Sequence, residues 1–150
     1  MIRWRFVIHG GIDGHSRCIT FLHCSTNNEA YTVYTLFIES IASFRCPLRI
    51  RTDHGTENIQ VARWMLEHYG TASNTVLTGL SAHNQCIERL WVDVYRYVSE
   101  HFINLFYYME SVSLLDINNE SHLICLALCF PTKNIQLPKH VLSTMEQSPG

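Results

Sequence analysis

RCITFLHCSTNNEAYTVYTLFIESIASFRCPLRIRTD, residues 17–53, reads as strand, helix, strand. Arg17 to Ser25 is rich in the residue types that strands favour. Thr26-Asn27-Asn28-Glu29 has the form of a capping box, and Ala30, Val33, Tyr34, Phe37, Ile41 and Phe44 follow at spacings of three, four and multiples of a helical turn. This predicts an amphipathic helix over Asn28 to Phe44. Cys46-Pro47 ends it, and Leu48 to Asp53 is a short strand. A helix that connects two strands in this way joins strands that run parallel.

Upstream, Arg5 to Ile12 is a second strand-like run, and Asp13-Gly14 between it and Arg17 is a hairpin signal, because Gly accepts positive φ and Asp bonds the turn backbone. Downstream, Gly55 breaks the strand. Ala62, Met65, Leu66 and Tyr69 mark a helix that stops at Gly70, and Thr75 to Thr78 is a short strand. Ile87, Leu90, Trp91, Val94, Val98, Leu105 and Met109 then outline a longer helix. Beyond Ser111 the pattern weakens to one apolar run, Leu123 to Phe130, and a Pro-bearing tail. Alternating strands and helices predict an α/β sandwich with at least one parallel strand pair.

One hundred and fifty residues, 47% hydrophobic and 16% charged, suit one domain with a core and exclude a disordered chain as the default. The net charge of -2 argues against a domain that holds nucleic acid by charge alone. All nine Arg lie in residues 1–98 beside eight acids, whereas residues 99–150 hold two Lys and five acids, so a polyanion would prefer the first two thirds. No apolar stretch approaches the ~20 residues that cross a bilayer, and no leader is visible. The expectation is a protein of the cell interior with free thiols, no membrane partner and no small-molecule substrate. His122, Cys125 and Cys129 have a spacing one helical face could present to zinc, but inside an apolar run they read as core.

Acids, amides and small residues concentrate in GIDGHSR (11–17), RTDHGTEN (51–58) and SAHNQCIERLW (81–91). Asp53 closes a strand ahead of a Gly turn, where α/β sheets place chemistry; the plain alternative is an Asx-turn or cap aspartate. Glu88 stands at a helix start among Asn84, Gln85 and Arg89; its alternative is a solvated acid near the helix dipole. Thirty-four residues separate the two acids.

With that spacing, the strings IRWRFVIHGGIDGHSR, STNNEAYTVYTLFIE, RTDHGTENIQVARWMLEH and SAHNQCIERLWVDVYR resemble the catalytic core of retroviral-type integrases and DDE transposases of the RNase H-like superfamily. They are most similar to the integrase core domains encoded in fungal and animal genomes. The resemblance spans roughly residues 2–130, which gives a core domain over 1–130 and a tail over 131–150. It implies an RNase H-like mixed sheet flanked by helices. In that family three carboxylates hold two divalent ions, Mg²⁺ or Mn²⁺, about 3.5–4 Å apart for attack on a phosphodiester. Asp53 matches the second catalytic Asp and Glu88 the catalytic Glu, both metal ligands. The resemblance further implies that the helix bearing Asn84, Gln85, Arg89 and Arg96 lies against DNA, that the chain works in the nucleus, and that a homo-oligomer is possible.

Asp13 is not the missing first Asp by this reading. If the strands on either side of the Asn28–Phe44 helix run parallel, Asp53 lies at the top of one and Asp13 at the bottom of the other. Six to eight residues at ~3.3 Å each put them roughly 20 to 26 Å apart. The family's first Asp lies on an earlier, central strand, which would precede Ile2, so the chain reads as truncated and short of that strand. The expected function is therefore metal-dependent DNA strand transfer by ancestry, inactive in this form. A non-catalytic DNA-binding or oligomerising remnant of a domesticated transposon is the alternative.

Overall fold

The computed structural model describes residues 1–70, 74–79, 85–130 and 135. Its elements are β1 (Val7–Ile12), β2 (Ile19–Ser25), α1 (Ala30–Phe44), β3 (Ile50–Thr52), α2 (Ile59–Tyr69), β4 (Val76–Thr78), α3 (Gln85–Val94), α4 (Glu100–Ser111) and α5 (Glu120–Cys129). A π-helical stretch, Tyr95–Ser99, joins α3 to α4 without a break.

β1 and β2 form the predicted antiparallel hairpin, with Val7 opposite Ser25, His9 opposite His23 and a bulge at Gly11/Ile12. Asp13 makes its turn. One carboxylate oxygen accepts from the Ser16 amide at 2.7 Å and the Ser16 hydroxyl at 2.6 Å, and these bonds hold the carboxyl below its ordinary range. β3 and β4 pair in parallel, Ile50 with Val76 and Thr52 with Thr78. Among the described residues the two pairs are separate two-stranded sheets, with no strand joining the hairpin to the parallel pair.

Each pair is completed by helices instead of by the other pair. Val33 and Phe37 of α1 meet Val61 and Met65 of α2 over Ile50 and Val76 of the parallel pair. On the hairpin, Leu22 packs with Leu90 and Val94 of α3, and Trp91 lies so close to β1 that a Cβ on Gly10 would stand 2.9 Å from its ring. A third cluster joins Trp4 and Phe6 to Phe106, Leu115 and Leu126. Two long-range clamps fix it: the Trp4 indole and Arg3 both donate to Glu110, and Arg5 donates to Glu120.

Three local expectations change. The capping box does not form, because α1 starts at Ala30 with no side-chain cap on Glu29. Asn27 Oδ1 instead accepts from the Glu29 amide at 3.1 Å and the Thr32 hydroxyl at 2.7 Å. The long helix spans the predicted residues, but the π turn inserts a wider step that rotates its apolar face from the Leu90–Val94 cluster to the Phe106 cluster. Cys125 and Cys129 are exposed, not core: Leu123 and Leu126 take the inward face of α5. That helix is apolar all round, so periodicity could not orient it. All six cysteines are free thiols. No helix among the described residues is long and apolar enough to cross a membrane.

Candidate carboxylate and nucleic-acid site

β3 ends at Thr52, which places Asp53 just beyond the C-terminal end of a parallel strand. Asp53 is exposed, and its Oδ1 accepts from the Gly55 amide at 3.1 Å and the Asn58 side-chain amide at 3.0 Å. It therefore builds the turn with one oxygen and leaves Oδ2 without a hydrogen bond among the described residues. The turn-forming reading of this residue holds for Oδ1. The Glu57 carboxylate folds back over the turn and lies against Gly55.

Glu88 lies in the first turn of α3, exposed and outside every ion pair among the described residues. Its neighbour Arg89 is engaged, at 3.5 Å from Asp93, whose side chain is buried. Arg96, on the π stretch, is exposed and unpaired among the described residues. Gln85 opens α3. Asn84 lies outside the described residues. The hairpin reaches this helix start through Arg17, whose guanidinium contacts the Cys86 thiol.

A buried group that sequence reasoning missed ties the hairpin to α1. His9 Nε2 lies 2.9 Å from Ser25 Oγ and 3.2 Å from the Asn27 carbonyl. The Ser25 hydroxyl already donates to that carbonyl at 2.6 Å, so Nε2 carries the proton and donates. Burial lowers the His9 pKa, while the Asn27 carbonyl and the charge of Glu57 pull it upward. A lone histidine in a strand carries no sequence signal for this.

No three His, Cys, Asp or Glu side chains gather to hold a metal among the described residues. The family model for the integrase core domain matches residues 1–145. The chain belongs to the integrase core domain family. Neither a curated protein nor a solved structure matches it. The mixed helix and strand content is compatible with an integrase core, and membership implies a DNA-related function of transposon or integrase origin.

Proposed function

We propose that this integrase core is a DNA-contacting module in which Asp53 and Glu88 are two of the three carboxylates of a strand-transfer site. The observation that carries the reading is the placement of Asp53, at the open end of a parallel strand with one oxygen uncommitted, in a chain of this family. Hard carboxylate oxygens are the donors that Mg²⁺ or Mn²⁺ prefers, so the residues fit in kind. They do not fit in number. A pair of divalent ions against phosphate needs a third acid, and Asp13 is held in the hairpin turn through its Oδ2.

The third carboxylate belongs, on this proposal, to a further strand that would run between the hairpin and β3 and make one mixed RNase H-like sheet of the two pairs. Without it the chain binds DNA and does not join it. Asn84, Gln85, Arg89 and Arg96 are proposed to face the DNA, in a nuclear protein from a mobile-element gene of the fungal and animal type. The domain boundary near residue 130 and the tail beyond it belong to the same proposal. The second reading, a non-catalytic remnant that associates with its own kind, is favoured by one observation: α5 turns Ile124 and Leu128 outward, both exposed.

The test is Mn²⁺ titration by calorimetry in parallel with DNA cleavage, on a chain extended by the additional strand. Asp53→Asn and Glu88→Gln are each expected to abolish cleavage and lower Mn²⁺ affinity while leaving DNA binding within about twofold, because they keep shape and remove charge. Cleavage that survives either substitution rejects that residue as a ligand.

A further inference from the structure

α1 and α2 end in the same backbone geometry with different residues. Gly70 closes α2 at φ 85, ψ 152, its amide on the Leu66 carbonyl. Arg45 closes α1 at φ 71, ψ 165, its amide on the Ile41 carbonyl. Positive φ with extended ψ is nearly a glycine preserve, because a Cβ is crowded there. At the end of α2 the chain uses glycine. At the end of α1 it holds a long cation in the same strained conformation, and the difference between the two residues is a side chain.

That side chain has no work inside the fold. Arg45 is exposed and has no hydrogen-bond or ion-pair partner among the described residues, and the same is true of Arg49. The acids on the neighbouring helices, Glu39 of α1 and Glu67 of α2, pair with neither. Four other arginines are engaged, Arg3 on Glu110, Arg5 on Glu120, Arg89 on Asp93 and Arg17 on Cys86, while Arg63 and Arg96 are exposed and, among the described residues, without a partner as well. Between Arg45 and Arg49, Leu48 is 77% exposed, and Phe44 just before them is 49% exposed. The loop carrying them is anchored, since the Tyr69 hydroxyl donates to Cys46 Sγ at 3.4 Å and Ile50 begins β3 with its amide on the Thr75 carbonyl at 2.8 Å.

We infer that the α1–β3 turn, Phe44 to Arg49, is a contact surface for the phosphate backbone of duplex DNA, with Arg45 and Arg49 each taking a phosphate and Phe44 resting on the sugar edge. The inference rests on the DNA reading above and adds a surface to it. Four residues span at most ~14 Å, about four steps of 3.4 Å along a strand, so both cations can serve one stretch of backbone. The turn leads into β3 at the end opposite Asp53, so this contact falls on a stretch of duplex separate from the one the carboxylates would face. An anchored loop with two unpaired guanidiniums and an exposed ring suits a polyanion of regular spacing.

The experiment is fluorescence anisotropy of a labelled 30-base-pair duplex against salt, with melting curves of every variant. Arg45→Gly is expected to weaken binding about 3- to 10-fold while melting at the same temperature as the parent or higher, because glycine relieves the strain. Arg49→Ala should weaken binding similarly, and the double variant should flatten the slope of log K against log salt by nearly two units. Arg45→Lys, which keeps the charge, should retain most of the affinity. Unchanged affinity and slope in Arg45→Gly and Arg49→Ala, with the parent binding DNA, overturns this surface and spares the DNA reading. A parent that binds no DNA overturns both, as does binding to phosphatidylserine vesicles in its place. Arg45→Gly that melts lower than the parent overturns the strain argument.

Discussion

The hairpin half of the molecule and the parallel-pair half are held together by different kinds of contact. β3, β4, α1 and α2 lie within residues 30–78 and share one core around Val33, Phe37, Val61 and Met65. β1 and β2 depend instead on partners far along the chain: Trp4 and Arg3 reach Glu110, and Arg5 reaches Glu120, across more than a hundred residues. The local half closes short loops and can form early, whereas the hairpin half must wait for α4 and α5. Among the described residues no strand pairing joins the two sheets; side-chain packing and the His9 bond to the Asn27 carbonyl, at the entry to α1, run between the halves.

The largest effect should follow from deleting the centre of one half. Phe106 is 0% exposed and packs against Trp4, Phe6, Phe102 and Phe130. Phe106→Ala should cost about 3–5 kcal/mol, a large share of a domain's usual 5–15. In urea, the Trp4 signal of the hairpin half should then be lost before that of Trp64, which packs on Phe37 in the other half. Single-tryptophan versions separate the two. Simultaneous loss of both signals would show one cooperative unit and break the comparison.

A smaller effect tests the seam between hairpin and α3. Gly10→Ala places a methyl 2.9 Å from the Trp91 ring and 3.1 Å from a Leu22 methyl, an overpacking expected to cost about 1–3 kcal/mol. The expected result is a shifted Trp91 emission and a lower midpoint, with the Trp64 transition unmoved.

The sharpest of the small effects is on pH. His9 has a folded pKa below its ordinary 6.5, so its neutral form contributes stability that is fully present above about pH 6.5 and is lost as pH falls toward the folded value. The melting temperature should therefore drop between pH 7 and 5. His9→Gln keeps a donor for Ser25 and Asn27 and cannot titrate, so its profile over that window should be flatter. Parallel profiles would remove His9 as the titrating link between the halves.

Much of this comparison is legible in the residues, and the rest has physical reasons for being hidden. Asp13-Gly14 and Gly70 are turn and stop signals that act locally, and the hairpin and the end of α2 stand where they predict, although the positive φ expected of Gly14 falls on Arg17. The π turn at Tyr95–Ser99 is invisible to a spacing rule that tolerates both three and four. Cys125 and Cys129 could not be oriented because α5 is apolar on every side. The capping role passed from Thr26 and Glu29 to Asn27, since short polar side chains compete for the same orphan amides. At the candidate site, Asp53 was legible from the strand and glycine around it. Glu57 and His9 were not, because their roles arise from a folded-back carboxylate and a cross-strand bond.

A strand-transfer assay with Mn²⁺ and pre-cut duplex ends tests most directly the claim that this integrase core carries two of three carboxylates. The 150-residue chain should bind the duplex and give no joined product, and Asp13→Asn should change nothing. Joined product from the chain, abolished by Asp13→Asn, would contradict the account, because it would make the turn aspartate the third ligand and bring the bottom of the hairpin to Asp53.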